Sequence, residues 1–206
     1  MSSKLRIALI SPKGPLYRRR KGIFKKSLRY MPLTFPTLAA LIPDDLQVEL
    51  KCYDEGIEEI NVDSIEADLI GMTVITGTAM RAYELAAEFK KRGKTVILGG
   101  PHVTLMPEDA QPHADSIVVG YAEESWPQLL RDFNKKSLQS RYTQSPNLEI
   151  GGYPSPNEMY CLKKCISPMK FLRRPAGAFI IARFVLFPMP GAANPIKNQL
   201  VKSLLI

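Results

Sequence analysis

The stretch ADLIGMTVITGTAMRAYELAAEFKKRGKTVILGG, residues 67–100, decides the fold of this chain. An apolar run (67–76), a segment with helical periodicity (78–93) and a second apolar run (94–100) follow one another. Thr78 is placed to cap the helix, and the helix ends in basic residues and a glycine, as helices commonly do. Strand, helix and strand in this order predict a unit whose two strands lie parallel in one sheet.

The same alternation continues on both sides of this unit. Apolar runs at 5–11 and 115–120 are typical of buried strands, and the alternation at 46–54 is typical of an edge strand. Helical spacing recurs at 34–42 and 123–136. The sequence therefore predicts an α/β fold with a doubly wound, five-stranded parallel sheet, and such sheets bind ligands at the carboxyl ends of their strands.

Small and hydroxylated residues crowd those predicted carboxyl ends. Glycines let backbone approach a flat or bulky ligand, and threonine hydroxyls donate or accept hydrogen bonds. The motifs of dinucleotide and nucleoside triphosphate sites are missing. Singly, each glycine could simply end a strand and each threonine cap a helix, but four adjacent strand ends together predict a ligand site. The candidate cofactor-binding residues are Ser11, Gly14, Thr73, Thr76, Gly77, Thr78, Gly99, Gly100, His102, Gly120, Tyr121 and Glu123. No catalytic or metal-ligating residue is predicted.

The segment VILGGPHVTLMPEDAQPHADSIVVGYAEESWPQLLRDF (96–133) resembles the N-terminal cobalamin-binding domain of B12-dependent radical SAM proteins. The resemblance covers residues 4 to about 157 and implies a flavodoxin-like, Rossmann-like domain with cobalamin as its cofactor and partner. Many such domains carry Asp-x-His-x-x-Gly after the first strand, where the histidine replaces the lower ligand of cobalt. Here that loop reads SPKGPLYRRRKG (11–22), so the resemblance implies cobalamin binding without such a histidine.

The two histidines of the chain therefore have other expected roles. His102 follows a strand and either touches the corrin or hydrogen-bonds the backbone of its loop. His113 is expected to cap a helix end.

Radical SAM chemistry requires Cys-x3-Cys-x2-Cys to hold a [4Fe–4S] cluster with one iron open to S-adenosylmethionine. Only Cys161 and Cys165 have part of this spacing, which we interpret as coincidence, and Cys52 is expected to be a small buried hydrophobe. The cluster and S-adenosylmethionine are therefore expected only in an intact parent enzyme, whose radical SAM barrel normally belongs to the same chain. This chain alone is expected to be inactive.

We divide the chain into a domain (1–140), a linker (141–165) and a tail (166–206). The tail is basic and aperiodic and contains no acidic residue, which suggests a changed reading frame. A shifted reading frame joins the third base of each codon to the first two bases of the next codon. From Arg173 onward, the genetic code permits this frame to encode the peptide ATRGCVHHCEIC. The shifted peptide contains Cys-x3-Cys-x2-Cys. We therefore interpret the tail as an out-of-frame remnant of the radical SAM motif, and the chain as truncated before the radical SAM barrel.

Charge is distributed unevenly along the chain. Residues 1–30 hold ten Lys or Arg and no acid, whereas residues 31–150 hold ten basic and nineteen acidic residues. Two alternatives remain. One is a nucleic-acid-associated protein that uses the basic loop 17–30, which is not favoured. The other is a flavodoxin-like regulatory or partner-binding module without cobalamin. No apolar run is long enough to span a membrane, and three cysteines do not form a disulfide framework, so a cytoplasmic protein is expected.

Overall fold

The computed structural model describes residues 4–14, 34–56 and 58–148, all within one compact unit. The strands are β1 (Leu5–Ser11), β2 (Val48–Asp54), β3 (Leu69–Thr73), β4 (Thr95–Gly99), β5 (Ser116–Val119) and β6 (Arg141–Thr143). The helices are α1 (Thr34–Ala40), α2 (Ala79–Lys91), α3 (Pro101–Leu105), α4 (Pro107–Ala110) and α5 (Ala122–Asn134). Short 3₁₀ turns cover Val62–Ser64, Thr76–Thr78 and Gln111–His113.

The strands form one parallel sheet in the order β2-β1-β3-β4-β5-β6. The chain first moves from β1 to the edge strand β2, and it then crosses back over β1 to place β3 on the other side. The order therefore reverses between β1 and β3, which is where sheets of this type open a crevice at their carboxyl edge. The predicted doubly wound parallel fold and the edge position of β2 are confirmed.

Both faces of the inner strands are buried, which explains why β1, β3, β4 and β5 are largely apolar runs. Ala8 and Ile10 of β1 face the cluster that contains the buried side of α2, whereas Ile7 and Leu9 face the cluster that contains α1 and α5. Cys52, on β2, is partly buried and packs against the second cluster, in the apolar environment expected for it.

A sixth strand extends the sheet beyond the five that were predicted. β6 has only three residues, of which Tyr142 alone is buried, so it is too short to produce a recognisable alternation. It lies within the segment that was predicted to be a linker (141–165). Its pairing with β5 makes β6 the edge of the sheet opposite β2.

The expected cap of α2 differs from the structure. Thr78 stands at the N-cap position, but its hydroxyl makes no capping bond and turns back to Ile75. It accepts a hydrogen bond from the Ile75 N–H at 3.2 Å and donates one to the Ile75 carbonyl at 3.1 Å. At the other end Gly93 adopts φ +69° and terminates the helix as predicted.

Several sequence predictions lie outside the described residues. They concern the basic loop 17–30, Cys161, Cys165 and the tail 166–206; of the linker, only residues 141–148 are described. In the described part of the chain, no helix has the length and apolar character needed to cross a membrane.

The hydroxyl of Ser116 is buried and has no hydrogen-bond partner among the described residues. Because an unsatisfied hydroxyl loses its hydration without compensation, we expect Ser116→Ala to raise the free energy of unfolding by about 1 kcal/mol. Urea denaturation of the full chain measures this change.

Tyr142→Phe is the matched control for Ser116→Ala, because it also removes one buried hydroxyl. The Tyr142 hydroxyl donates to Asp132 at 2.9 Å and accepts from the Gln139 N–H at 3.1 Å. We expect this variant to lose about 1 kcal/mol. A loss of stability in Ser116→Ala would show that its hydroxyl has a partner after all.

Candidate functional site

The predicted site residues all lie at the carboxyl edge of the sheet, either at the ends of β1, β3 and β4 or on the segments that follow β1, β3, β4 and β5. Ser11, Thr73 and Gly99 are the last residues of β1, β3 and β4; Gly14 follows β1, Thr76, Gly77 and Thr78 follow β3, Gly100 and His102 follow β4, and Gly120, Tyr121 and Glu123 follow β5. Register places Thr73 directly opposite Gly99. The sequence therefore identified residues that the fold brings to one edge, which we call the rim.

Gly100 forms the tightest junction of the rim. Its φ of 104° and ψ of −178° belong to a region that only glycine adopts readily. A Cβ atom here would lie 2.8 Å from the Val74 carbonyl oxygen and 2.9 Å from the Val74 nitrogen. The Val74 N–H donates to Gly99 and the His102 N–H donates to Val74, so the ends of β3 and β4 are hydrogen-bonded together. Gly100 is thus required by the fold itself.

Gly120 lies between the side chains of Thr104 and Gln144. Its N–H donates to the Thr104 hydroxyl at 3.0 Å, and that hydroxyl donates to the Gly100 carbonyl at 3.1 Å. The Gln144 side chain crosses the position of a Gly120 Cβ atom and accepts a hydrogen bond from the Tyr121 N–H at 2.7 Å. Thr104 and Gln144 thereby connect the rim from β4 to β6.

A buried carboxylate fixes the segment after β1. The side chain of Glu55 is only 1% exposed and accepts hydrogen bonds from the Lys13 N–H at 3.0 Å and from Arg81 at 2.6 and 2.9 Å. The Glu55 N–H in turn donates to the Ser11 carbonyl. These bonds hold Gly14 close to α2, where a Cβ on Gly14 would lie 3.5 Å from the Thr78 methyl group.

Glu55, Lys13 and Arg81 together form what we call the Glu55 clamp. The two basic residues favour the ionised form of Glu55. Burial raises its pKa, but the hydrogen bonds and charges of Arg81 and Lys13 outweigh burial, so the pKa lies below its usual value. The hydrogen bond to Glu55 likewise raises the pKa of Arg81. Both groups are charged at neutral pH.

His102 lies inside the domain rather than on the open rim. Its Nε2 atom is 3.0 Å from the Tyr83 hydroxyl and 3.2 Å from an Asp109 oxygen, and its Nδ1 atom is 3.4 Å from the Thr76 hydroxyl. The expectation that its side chain bonds loop backbone is therefore replaced by three side-chain contacts. His113 stacks on Tyr83 with ring centroids 3.9 Å apart and planes 7° apart, a role that its expected capping position did not indicate.

Some rim residues have side chains or backbone conformations that the fold itself requires, and others do not. The hydroxyl of Thr78 makes two internal bonds, and Gly100 and Gly120 serve the backbone geometry. Gly99 has no such constraint, since a Cβ atom there would make only an ordinary contact of 3.6 Å with Val118. Ser11 and Thr73 make no side-chain hydrogen bond within the described residues.

Exposed apolar side chains border the polar rim. Ile75 and Met80 follow β3 and are 53% and 75% exposed, and Leu105 and Met106 follow β4. They are the exposed large hydrophobic residues of the described part of the chain. The carboxyl edge therefore combines glycines and hydroxyls with apolar surface, which suits a large ligand with an apolar face and a polar periphery.

Glu55, Tyr83, Thr104, Asp109 and Gln144 were not predicted from the sequence. Tyr83 carried a signal, because it occupies the buried stripe of α2 among alanines, Leu85 and Phe89, and a buried tyrosine hydroxyl needs a partner. The others contact the rim through long-range pairings that local patterns do not show. Across the described ranges, no three His, Cys, Asp or Glu side chains are arranged to hold a metal ion.

Comparison with known sequences agrees with this geometry. Residues 37–130 match the sequence family described as B12 binding domain. This part of the chain is thus similar to B12-binding domains. The match includes β2, β3, β4 and β5 and the rim segments from Thr73 to Glu123.

Two methyltransferases of Chlorobaculum tepidum are similar to this chain. Bacteriochlorophyllide d C-8(2)-methyltransferase is 45% identical over 119 residues, which is 57% of this chain and 25% of that protein. Bacteriochlorophyllide d C-12(1)-methyltransferase is 30% identical over 115 residues, 56% of this chain and 25% of that protein. An uncharacterised protein of Methanopyrus kandleri is 31% identical over 97 residues, 47% of this chain and 18% of that protein. The similarity thus spans about a quarter of the length of the two methyltransferases.

The Glu55 clamp predicts a specific pH dependence of stability. Because its folded pKa lies below the usual value of 4.5, Glu55 stabilises the fold above that value, and this contribution is lost as the pH falls through the lower folded pKa. Glu55→Gln removes the charge that faces Arg81 and Lys13, so we expect a loss of about 3 kcal/mol at neutral pH. The loss should shrink below pH 4.5 in denaturant titrations.

Glu84→Gln is the matched control for this clamp. Glu84 also binds Arg81, at 2.9 Å, but its side chain is 62% exposed. An exposed ion pair contributes less than about 1 kcal/mol, so this variant should remain close to the parent. Equal losses in both variants would contradict the special role of Glu55.

Proposed function

We propose that this domain binds cobalamin at its carboxyl edge and serves a methyl-transfer reaction of a B12-dependent radical SAM enzyme. The observation that carries the proposal is that the segments matching the B12-binding family form one rim of glycines and hydroxyls beside exposed apolar side chains. This rim lies at the place where doubly wound sheets bind their ligands.

The chemistry of the rim fits a corrinoid. A corrin ring has broad apolar faces and a periphery of carboxamide groups. Ile75 and Met80 offer apolar surface, Thr73 and Thr76 offer hydroxyl oxygens, and Gly99 leaves the end of β4 without a side chain. We assign these residues, with Ser11, Gly77 and Tyr121, to cofactor binding, whereas Thr78, Gly100, His102 and Gly120 shape the rim from within.

Neither histidine of this chain is placed to bind cobalt. His102 uses both ring nitrogens for contacts inside the domain, and His113 stacks on Tyr83. The sequence contains no further histidine. Cobalamin held at this rim would therefore not use a histidine of this chain as a ligand to cobalt.

The reaction class rests on the resemblance and on the relatives. Bound cobalamin supplies a methyl group carried on cobalt, and two similar proteins are methyltransferases by name. The residues of this chain would bind and orient the cofactor, and Glu55 and Gln144 would hold the rim segments in place. Substrate binding and radical generation belong in this proposal to a barrel that accompanies the domain in the intact enzyme.

Cobalamin uptake by the purified chain tests the binding proposal. We expect a stoichiometric complex after gel filtration, visible in the corrin absorbance. Electron paramagnetic resonance of the reduced cob(II)alamin complex should be unchanged when the protein histidines carry ¹⁵N. Absence of uptake would favour a regulatory or partner-binding module, and a change on ¹⁵N-histidine labelling would show that a histidine binds cobalt.

Gly99→Ala separates ligand contact from fold at the rim. Its methyl group fits the folded chain, so stability should change by less than about 1 kcal/mol, while cobalamin affinity should fall about tenfold. Gly100→Ala is the contrasting variant, because its Cβ atom would meet the Val74 backbone and destabilise the fold by about 3 kcal/mol. Unchanged affinity in Gly99→Ala would remove Gly99 from the binding site.

We also propose that residues from about 166 onward are an out-of-frame translation of the radical SAM motif. The acid-free composition of 166–206 and the shifted reading ATRGCVHHCEIC support this proposal. The nucleotide sequence from codon 155 onward decides it. An open shifted frame that encodes the three spaced cysteines would support it, whereas a shifted frame interrupted by stop codons would refute it.

A further inference from the structure

The contacts of His102 connect Asp109, near the outside of the domain, to Thr76 on the rim. Asp109 belongs to α4 and has a 52% exposed side chain, whereas the His102 side chain is only 7% exposed. Thr76 begins the turn after β3 and is exposed. The buried imidazole therefore lies within 3.4 Å of a polar side-chain atom of each of these residues.

We propose that Asp109 and His102 act as positioning residues that fix the hydroxyl of Thr76 as a hydrogen-bond acceptor toward the rim. This position then selects N–H donors, such as the carboxamides of a corrin periphery, over carboxylates. We call the hydrogen-bonded series Asp109–His102–Thr76 the relay. The choice of ligand rests on the proposed cobalamin function, whereas the relay can be tested without any ligand.

The direction of the relay follows from counting protons around Nε2. The Tyr83 hydroxyl donates its single proton to Asp109 at 2.7 Å. A carboxylate only accepts, so the contact of 3.2 Å between Asp109 and Nε2 requires the proton to reside on Nε2. The same N–H also points to the Tyr83 oxygen at 3.0 Å, which can accept it.

The electrostatics of the cluster agree with this assignment. The hydrogen bonds from Tyr83 and His102 lower the pKa of Asp109, which keeps it ionised at neutral pH. Burial, reinforced by the hydrogen bond to Asp109, raises the pKa of Tyr83, so the phenol keeps its proton. Stacking of His113 on Tyr83 fixes the orientation of the phenol ring.

The state of Thr76 follows from that of His102. When Nε2 carries the only ring proton, Nδ1 is an acceptor, and the Thr76 hydroxyl is its partner at 3.4 Å. Thr76 then donates its hydroxyl proton inward and has only oxygen lone pairs left for a ligand. A carboxamide N–H can bind to these lone pairs, whereas a carboxylate would meet an acceptor with the negative charge of Asp109 behind it.

The first experiment measures the His102 tautomer without any ligand. Because the chain has two histidines, His113→Phe leaves one imidazole and retains an aromatic ring against Tyr83. Two-bond ¹H–¹⁵N NMR of this protein distinguishes protonated from bare ring nitrogens. We expect the proton on Nε2 at neutral pH. A proton on Nδ1, or on both nitrogens, would overturn the relay.

Asp109→Ala in the same background should reverse the tautomer. Without the carboxylate, the Tyr83 hydroxyl has His102 Nε2 as its remaining acceptor in the cluster, at 3.0 Å. The imidazole proton then moves to Nδ1 and is donated to Thr76, which is free to donate outward. Adding Tyr83→Phe to Asp109→Ala should abolish the reversal. An unchanged tautomer in Asp109→Ala would contradict the proposed role of Asp109, and a merely structural role would not move this signal.

The second experiment measures ligand selection. Cobalamin is compared with its monocarboxylic acids, in each of which one peripheral carboxamide is hydrolysed. We expect the chain to bind cobalamin about tenfold more tightly than at least one of these acids, a preference retained by Thr76→Ser and lost in Thr76→Val and Asp109→Ala. Equal binding of all the acids would overturn the selection by Thr76. Failure to bind cobalamin at all would refute the proposed function, while the NMR result would still decide the relay.

Discussion

The close approach of Gly100 to the backbone of Val74 is the constraint on which the carboxyl edge depends. A glycine in this conformation lets β4 turn at once into α3 while the Val74 peptide group bonds to Gly99 and His102. With a side chain at this position the two strand ends would separate. His102 would then lose its place beside Thr76.

This constraint explains why most of the rim is rigid before any ligand is considered. The Thr104 hydroxyl transmits the position of Gly100 to Gly120, and Gln144 continues the connection to the end of β6. On the opposite side, the buried carboxylate of Glu55 fixes Lys13 and Arg81. Because these polar groups are satisfied inside the protein, they define one arrangement of the rim, as completed buried networks do.

The scaffold could be predicted because hydrophobic periodicity and the residues that end helices and strands are local properties of the sequence. The run from 67 to 100 specified β3, α2 and β4 with little ambiguity, and Gly93 ended α2 as expected. The strand β6 escaped detection because three residues with one buried side chain contain no period.

Sequence patterns indicated where the candidate site lies but not what each of its residues does. The predicted glycines and threonines lie together at the carboxyl edge, yet sequence cannot distinguish a glycine required by φ, such as Gly100, from one such as Gly99 whose conformation tolerates a methyl group. His102 looked like a rim residue because its partners Tyr83 and Asp109 lie on separate helices. Their meeting depends on how α2 and α4 pack, which is a tertiary property.

The order of the sheet also gives the domain a gradient of local stability. After β3, every further strand adds to the same growing edge, and the series ends in β6, with three residues and one buried side chain. We therefore expect amide hydrogens in β1 and β3 to exchange mainly through global unfolding and those in β6 through local opening. When β6 opens, Gln144 releases the Tyr121 amide, so the β5 side of the rim can loosen while the crevice between β1 and β3 stays intact.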